Sequence, residues 1–144
     1  MVRLALFLLT ACLSVTAFAA DTINAKREQT FGDVTVYYNT FNSTFLTPDI
    51  AKSVEQARSK NLGMINVSVI KDGKPLMAQV SGTVKDLTSQ IVPLNFRQIT
   101  EKGAIYYIAQ YPVPQTEIRT FDIKVQIGDK INTINFNQEI FPGE

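Results

Sequence analysis

The sequence predicts an all-β protein, an immunoglobulin-like antiparallel β-sandwich of about seven strands with one short α-helix. Three observations carry that reading. Apolar and polar residues alternate in run after run, most strictly where Phe121, Ile123, Val125 and Ile127 interleave with Thr120, Asp122, Lys124 and Gln126. That is the period of a strand with one buried face. Turn signals such as Asp72-Gly73 and Gly128-Asp129 separate these runs at roughly 8 to 15 residues, as in a sandwich. Helical spacing is confined to one stretch after Thr47-Pro48-Asp49.

Residues 1–19 read as an export signal. Arg3 supplies the positive start, Leu4 opens an apolar run that reaches Val15, and Ala17-Phe18-Ala19 is the small-x-small pattern of a cleavage site. The run is shorter than the roughly 20 residues needed to cross a bilayer. Cleavage near Ala19 predicts a periplasmic protein of a Gram-negative-type envelope. Leu9-Thr10-Ala11-Cys12 also has the spacing of a lipoprotein signal. The alternative is therefore an outer-membrane lipoprotein anchored through Cys12, and without that anchor no membrane insertion is expected.

Residues 20–30 are polar and aperiodic and read as a flexible N-terminal arm; residues 31–144 form the sandwich domain. Val34, Val36 and Tyr38 open the first strand. Phe41 and Phe45 continue it with the apolar phase shifted by one, a shift that a bulge or a bend would absorb. Thr47 then suits a helix cap, Pro48 the first helical position and Asp49 the positive end of the dipole. Ile50, Ala51, Val54, Ala57 and Arg58 repeat at helical spacing until Asn61 to Gly63 stops them, giving about three turns.

Strands follow at Met64–Ile70, Leu76–Lys85, Ile91–Ile99, Ile105–Tyr111, Phe121–Ile127 and Ile131–Phe141. Lys71-Asp72-Gly73-Lys74 is a hairpin turn. Pro93 marks its strand as an edge or a strand start.

The composition argues against several chemistries. The 144 residues contain no histidine, and the single cysteine lies in the export signal. Histidine-activated nucleophiles, most zinc and haem sites, and thiolate chemistry are thereby lost. Met64 and Met77 read as core filler rather than a soft copper pair, so no cofactor is expected. The acidic residues sit at turns, caps and polar strand faces rather than in a catalytic motif, and the expectation is a protein that is not an enzyme. Loss of Arg3 with the signal leaves 13 Lys+Arg against 13 Asp+Glu. A neutral chain has no global field to gather nucleic acid.

Two stretches remain as candidate partner surfaces, for an envelope protein not identified by the sequence. In Tyr37–Phe45, aromatics interleave with small amide and hydroxyl residues, and Tyr37, Phe41, Asn42 and Phe45 are the contact candidates. In the last strand, Asn135, Asn137 and Glu139 share a polar face that could accept a further strand at a sheet edge. Each stretch has a structural reading too: Tyr38, Phe41 and Phe45 in the core, and the last polar face simply solvated. The alternative function is small-molecule or glycan binding in a pocket between the sheet and the helix at Pro48 to Arg58, lined by Tyr106, Tyr107 or Tyr111.

Phe41-Asn42-Ser43-Thr44-Phe45-Leu46, Asn66-Val67-Ser68-Val69, Asp72-Gly73-Lys74-Pro75, Val80 to Leu87 (VSGTVKDL) and Asn135-Phe136-Asn137-Gln138-Glu139 carry a resemblance over essentially the whole chain. With its export signal, the protein resembles a family of small exported Gram-negative proteins known as a domain of unknown function. The resemblance implies an immunoglobulin-like β fold in the periplasm and brings no catalytic or binding residues with it.

Overall fold

Residues 27–53 and 56–143 are described by a computed structural model. The export signal, Cys12 and the arm up to residue 26 lie outside them. Among the described residues ten strands run in chain order: β1 (Glu28–Phe31), β2 (Val34–Asn42), β3 (Leu62–Lys71), β4 (Lys74–Pro75), β5 (Gln79–Lys85), β6 (Ile91–Leu94), β7 (Arg97–Glu101), β8 (Ala104–Pro112), β9 (Glu117–Ile127) and β10 (Lys130–Ile140). A 3-10 turn at Ser43–Phe45 and helix α1 (Pro48–Ser53) link β2 to β3. One antiparallel sheet has the order β1-β2-β3-β8-β7, with β4 also on β3; the other has the order β10-β9-β5-β6. This is the all-β sandwich that the alternation predicts.

The turns obey the chemistry read from them. Asp72 and Gly73 both have positive φ, 52° and 73°. That is the conformation a two-residue hairpin of this twist requires and that Asp-Gly tolerates. The inward residues of both sheets form the core, with Val36, Ile65, Val67, Phe121, Ile123, Val125 and Ile134 all fully buried. Through its middle runs a chain of rings. Tyr38 lies 4.7 Å from Phe136, Phe136 stacks on Phe121 at 5.0 Å, and Phe121 meets Tyr111 edge-on at 5.2 Å. The Arg27 guanidinium caps the chain, 5.4 Å from the Phe136 centroid.

Five sequence expectations need correction. The arm ends sooner than residue 30, because Glu28–Phe31 pairs with Val34–Tyr37 as β1. The phase shift at Phe41 involves no bulge: β2 pairs with β3 without a skip from Val34↔Lys71 to Asn42↔Gly63. Phe41 faces outward opposite Met64, and Met64 is nonetheless fully buried. The segment between β2 and β3 covers that outer face, tied down by Gln110 Nε2 donating to the Ala57 carbonyl at 2.7 Å. An apolar residue is therefore at home on either face there.

The helix is shorter than three turns. Thr47 Oγ1 does cap it, accepting from the Ile50 N–H at 3.2 Å, but the described helix ends at Ser53 and Gln56–Ser59 is not helical. Finally, two of the expected strands each divide between sheets. Leu76–Lys85 breaks at Leu76–Ala78, where the chain leaves β4 for β5, and Ile91–Ile99 breaks at Asn95–Phe96 between β6 and β7. Inward alternation runs through the first crossing at Leu76, Ala78 and Val80 and reaches into the second at Val92, Leu94 and Phe96, since the core lies on the same side of the chain. Sequence period alone sees one strand, and seven strands become ten.

Candidate functional site

At one end of the sandwich the two sheets part around a cleft of about 190 Å³. Thr40, Phe41 and Asn42 enter from the end of β2, Gly63 from β3 and Tyr111 from β8, while Gln138 to Pro142 closes the other side. Antiparallel register brings them together: Asn42 pairs with Gly63, and Gly63 in turn with Tyr111. Glycine is required at this crossing, because a Cβ on Gly63 would lie 2.3 Å from Tyr111 Cε2. The Tyr111 ring occupies that vacated space and is itself buried.

Asn42 organises the rim. Its Nδ2 donates to the carbonyls of Lys60 (3.0 Å) and Phe141 (3.3 Å), and its Oδ1 accepts from the Thr44 N–H (3.0 Å) and hydroxyl (2.8 Å). An amide side chain has about this many hydrogen bonds to give. Asn42 therefore holds the 3-10 turn against the C-terminal segment and has nothing left over for a partner. The sequence reading of Asn42 as a contact residue did not include this structural role.

The other sequence candidates divide into two groups. Phe41 and Glu139 line the cleft with Phe141, which is exposed, and Phe45 stands just beyond Thr44 with 81% of its surface in solvent. Phe45 is not a core residue. Tyr37 is exposed on the outer face of β2, opposite Ser68, and takes no part in the cleft. Asn135 and Asn137 are exposed on the outer face of β10, where Asn137 Oδ1 accepts from the Thr120 hydroxyl at 2.8 Å.

A second cleft, of about 510 Å³, lies between the β1–β2 turn and the start of β10. Phe31, Val34, Leu76 and Ile127 form its walls, with Lys71, Asp33 and Lys130 beside them. Lys71 pairs with Asp33 at 3.4 Å. Neither cleft is the one expected between the sheet and the helix. Of the three tyrosines expected to line it, Tyr111 reaches the first cleft, while Tyr107 accepts from the Ala78 N–H at 2.8 Å and so secures the crossing into β5. Among the described residues no three of the types His, Cys, Asp and Glu cluster as metal ligands would.

The sequence model of one family, described as "Domain of unknown function (DUF4426)", matches residues 28–143. The chain belongs to the DUF4426 family. A crystal structure of a DUF4426 family protein from Pseudomonas aeruginosa PAO1 is similar at 48% identity and a TM-score of 0.77, covering 85% of this chain and 99% of that one. FetP from uropathogenic Escherichia coli strain F11 shares the fold at 7% identity and a TM-score of 0.56, over 81% of this chain and 94% of FetP. A copper-bound FetP variant matches at 9% identity and 0.54, over 83% and 92%. No curated protein matches the chain.

Two further groups bear on this cleft of the DUF4426 chain: Arg119, which the sequence reading passed over, and Tyr111, which it assigned to a different pocket. Arg119 is buried on the inward face of β9, paired with Glu117 two residues before it and opposite Gln138 of β10. The strict alternation Arg119, Phe121, Ile123 already placed it inward. Tyr111 is the other: burial pushes its phenol up to about 12, against smaller opposing effects of a hydrogen bond with Thr40 and the Arg119 charge. Because the folded state holds this proton more tightly than the unfolded chain, the stability it preserves is complete below pH 10. That stability is lost as pH rises from 10 towards 12, by about 2–3 kcal/mol in all. Melting curves across that range should show the loss, and Tyr111→Phe should be spared that part of it. Equal alkaline losses in both proteins would contradict the burial of this hydroxyl.

Proposed function

We propose that this chain is an exported, periplasmic, non-enzymatic binding module that holds an envelope protein at the open end of its sandwich. One observation carries the reading: Phe41 and Glu139, almost a hundred residues apart, line a single cleft with Phe141 exposed at its edge. Sites for drug-sized ligands are about 300–1,000 Å³. A cleft of about 190 Å³ is smaller and fits one inserted side chain. The exposed Phe45 and Phe141 then offer the aromatic surface that dominates protein contacts. Export rests on Arg3, the apolar run and Ala17-Phe18-Ala19.

Copper is not carried over from the FetP variant. This sequence has no histidine, Met64 is fully buried, and Met77 is exposed before β5. Those donors do not make a copper site.

The test is crosslinked capture of the tagged protein from its own envelope. One dominant protein should co-purify, and Phe45→Ala with Phe141→Ala should reduce its recovery about tenfold or more. Recovery of that protein undiminished by the double substitution would sink the surface. A second reading has the larger cleft in its favour, since about 510 Å³ with apolar walls is the size of a small-molecule site. Native mass spectrometry of the protein from its own envelope decides it, as a bound small ligand supports this reading and a bare chain counts against it.

A further inference from the structure

Two of the remaining exposed candidates, Asn135 and Asn137, belong to a strand of which the cleft uses only the end, Gln138 to Ile140. Among the described residues β10 pairs only with β9, along all eleven of its residues. The other sheet edges are blunted. β1 and β6 have four residues each, β6 contains Pro93, and β7 has five residues with Arg97 and Glu101 at its ends. Short, charged or proline-containing edges resist an added strand. From Ile131 to Gln138, β10 has no charge and no proline.

The hairpin dictates which backbone groups face outward. Gly128-Asp129 is a two-residue turn closed by Ile127 and Lys130. Such a closing pair exchanges both of its hydrogen bonds, and bonded and non-bonded pairs then alternate along the ladder. Even-numbered residues of β10 therefore bond to β9. The N–H and C=O groups of Ile131, Thr133, Asn135, Asn137 and Glu139 point away from it. Of these, the Glu139 carbonyl already accepts from Gln138 Nε2 at 2.8 Å.

We propose that this edge pairs with the same edge of a second copy of the chain, antiparallel about a two-fold axis at Asn135. Two four-stranded sheets become one sheet of eight. In this register the strand is complementary to itself. On the outer face Asn135 meets Asn135 of the partner subunit and Thr133 meets Asn137 of the partner subunit, amides and hydroxyls that can bond across the strands. On the inner face Ile134 meets Phe136 of the partner subunit, and Asn132 meets Gln138 of the partner subunit. No like charges are opposed. A register centred on Ile134 would instead set Glu139 against Asp129 of the partner subunit, a destabilising pair. A two-fold contact closes on itself, so association stops at the dimer. The inference is independent of the cleft and its partner.

Sedimentation of the purified protein across the micromolar range tests it, with the mass expected to rise to that of two chains. Asn135→Pro removes an outward N–H and leaves the β9 ladder intact. It should weaken self-association about 10- to 100-fold while the protein still melts cooperatively. Asn135→Ala keeps the N–H and should keep the dimer. If Asn135→Pro does not fold, hydrogen exchange on the unaltered protein takes its place, and the amides of Thr133, Asn135 and Asn137 should slow as concentration rises. A monomer throughout, an undiminished dimer in folded Asn135→Pro, or exchange independent of concentration overturns the proposal.

Discussion

Phe121→Ala should destabilise the protein by about 3–5 kcal/mol, the range for deleting a buried aromatic ring. The position leaves little room for a smaller effect. Phe121 is fully buried in the middle of β9, stacked on Phe136 at 5.0 Å and in edge contact with Tyr111 at 5.2 Å. β9 itself is hydrogen-bonded on both sides, to β10 and to β5, so the cavity cannot readily collapse. Domains of this kind have about 5–15 kcal/mol of stability in total. The variant is expected to sit near its unfolding threshold at room temperature. Urea denaturation measures the loss, and Phe45→Ala is the matched control. Phe45 is 81% exposed, so its truncation should stay within about 0.5 kcal/mol. A loss below about 1 kcal/mol at Phe121 would mean that the ring is not at the centre of the sandwich.

Gly63→Ala should cost about 2–3 kcal/mol, the usual penalty for forcing extra volume into a packed core. Alanine in a strand is otherwise slightly better than glycine, since it removes backbone freedom from the unfolded chain. Here the added methyl would lie 2.3 Å from Cε2 and 2.5 Å from Cζ of Tyr111. Gly63 pairs with Asn42 on one side and Tyr111 on the other, so its backbone cannot retreat. The Tyr111 ring is held against Phe121. A double-mutant cycle isolates the clash. Once Tyr111→Ala has removed the ring, Gly63→Ala should become nearly neutral. Similar losses in both backgrounds would show that the penalty comes from elsewhere.

Much of the fold was legible because one physical rule, alternation over a single core, governs most of the chain. β9 and its inward Phe121, Ile123 and Val125 follow directly from the sequence, as does the Asp72-Gly73 turn. The rule fails where burial has a second source. Met64 is an outward residue that is nonetheless fully buried, on a face where Gln110 ties down Ala57 of the preceding connection, and no strand period records that cover. Helical spacing at Val54 and Ala57 suggested a longer helix than the one ending at Ser53. Phe41 and Glu139 were legible as candidates, yet their meeting was not, because it depends on non-local strand pairing. Gly63 looked like a helix stop, whereas its missing side chain makes the seat for Tyr111. Asn42 looked like a contact residue because its four hydrogen bonds reach Thr44, Lys60 and Phe141, which only the folded chain gathers.

The crossings at Leu76–Ala78 and Asn95–Phe96 have a kinetic and mechanical consequence. Each carries the backbone from one sheet into the other within two or three residues. Neither sheet is a contiguous length of chain, and neither can be peeled away without dragging strands out of its counterpart. β5 and β6 enter the second sheet between segments of the first, so no hairpin-by-hairpin assembly completes one sheet before the other is under way. Folding must wait for distant parts of the chain to meet, the costly route for a β protein. Once formed, the two layers share one fate: the protein opens as a single unit rather than shedding a sheet at a time.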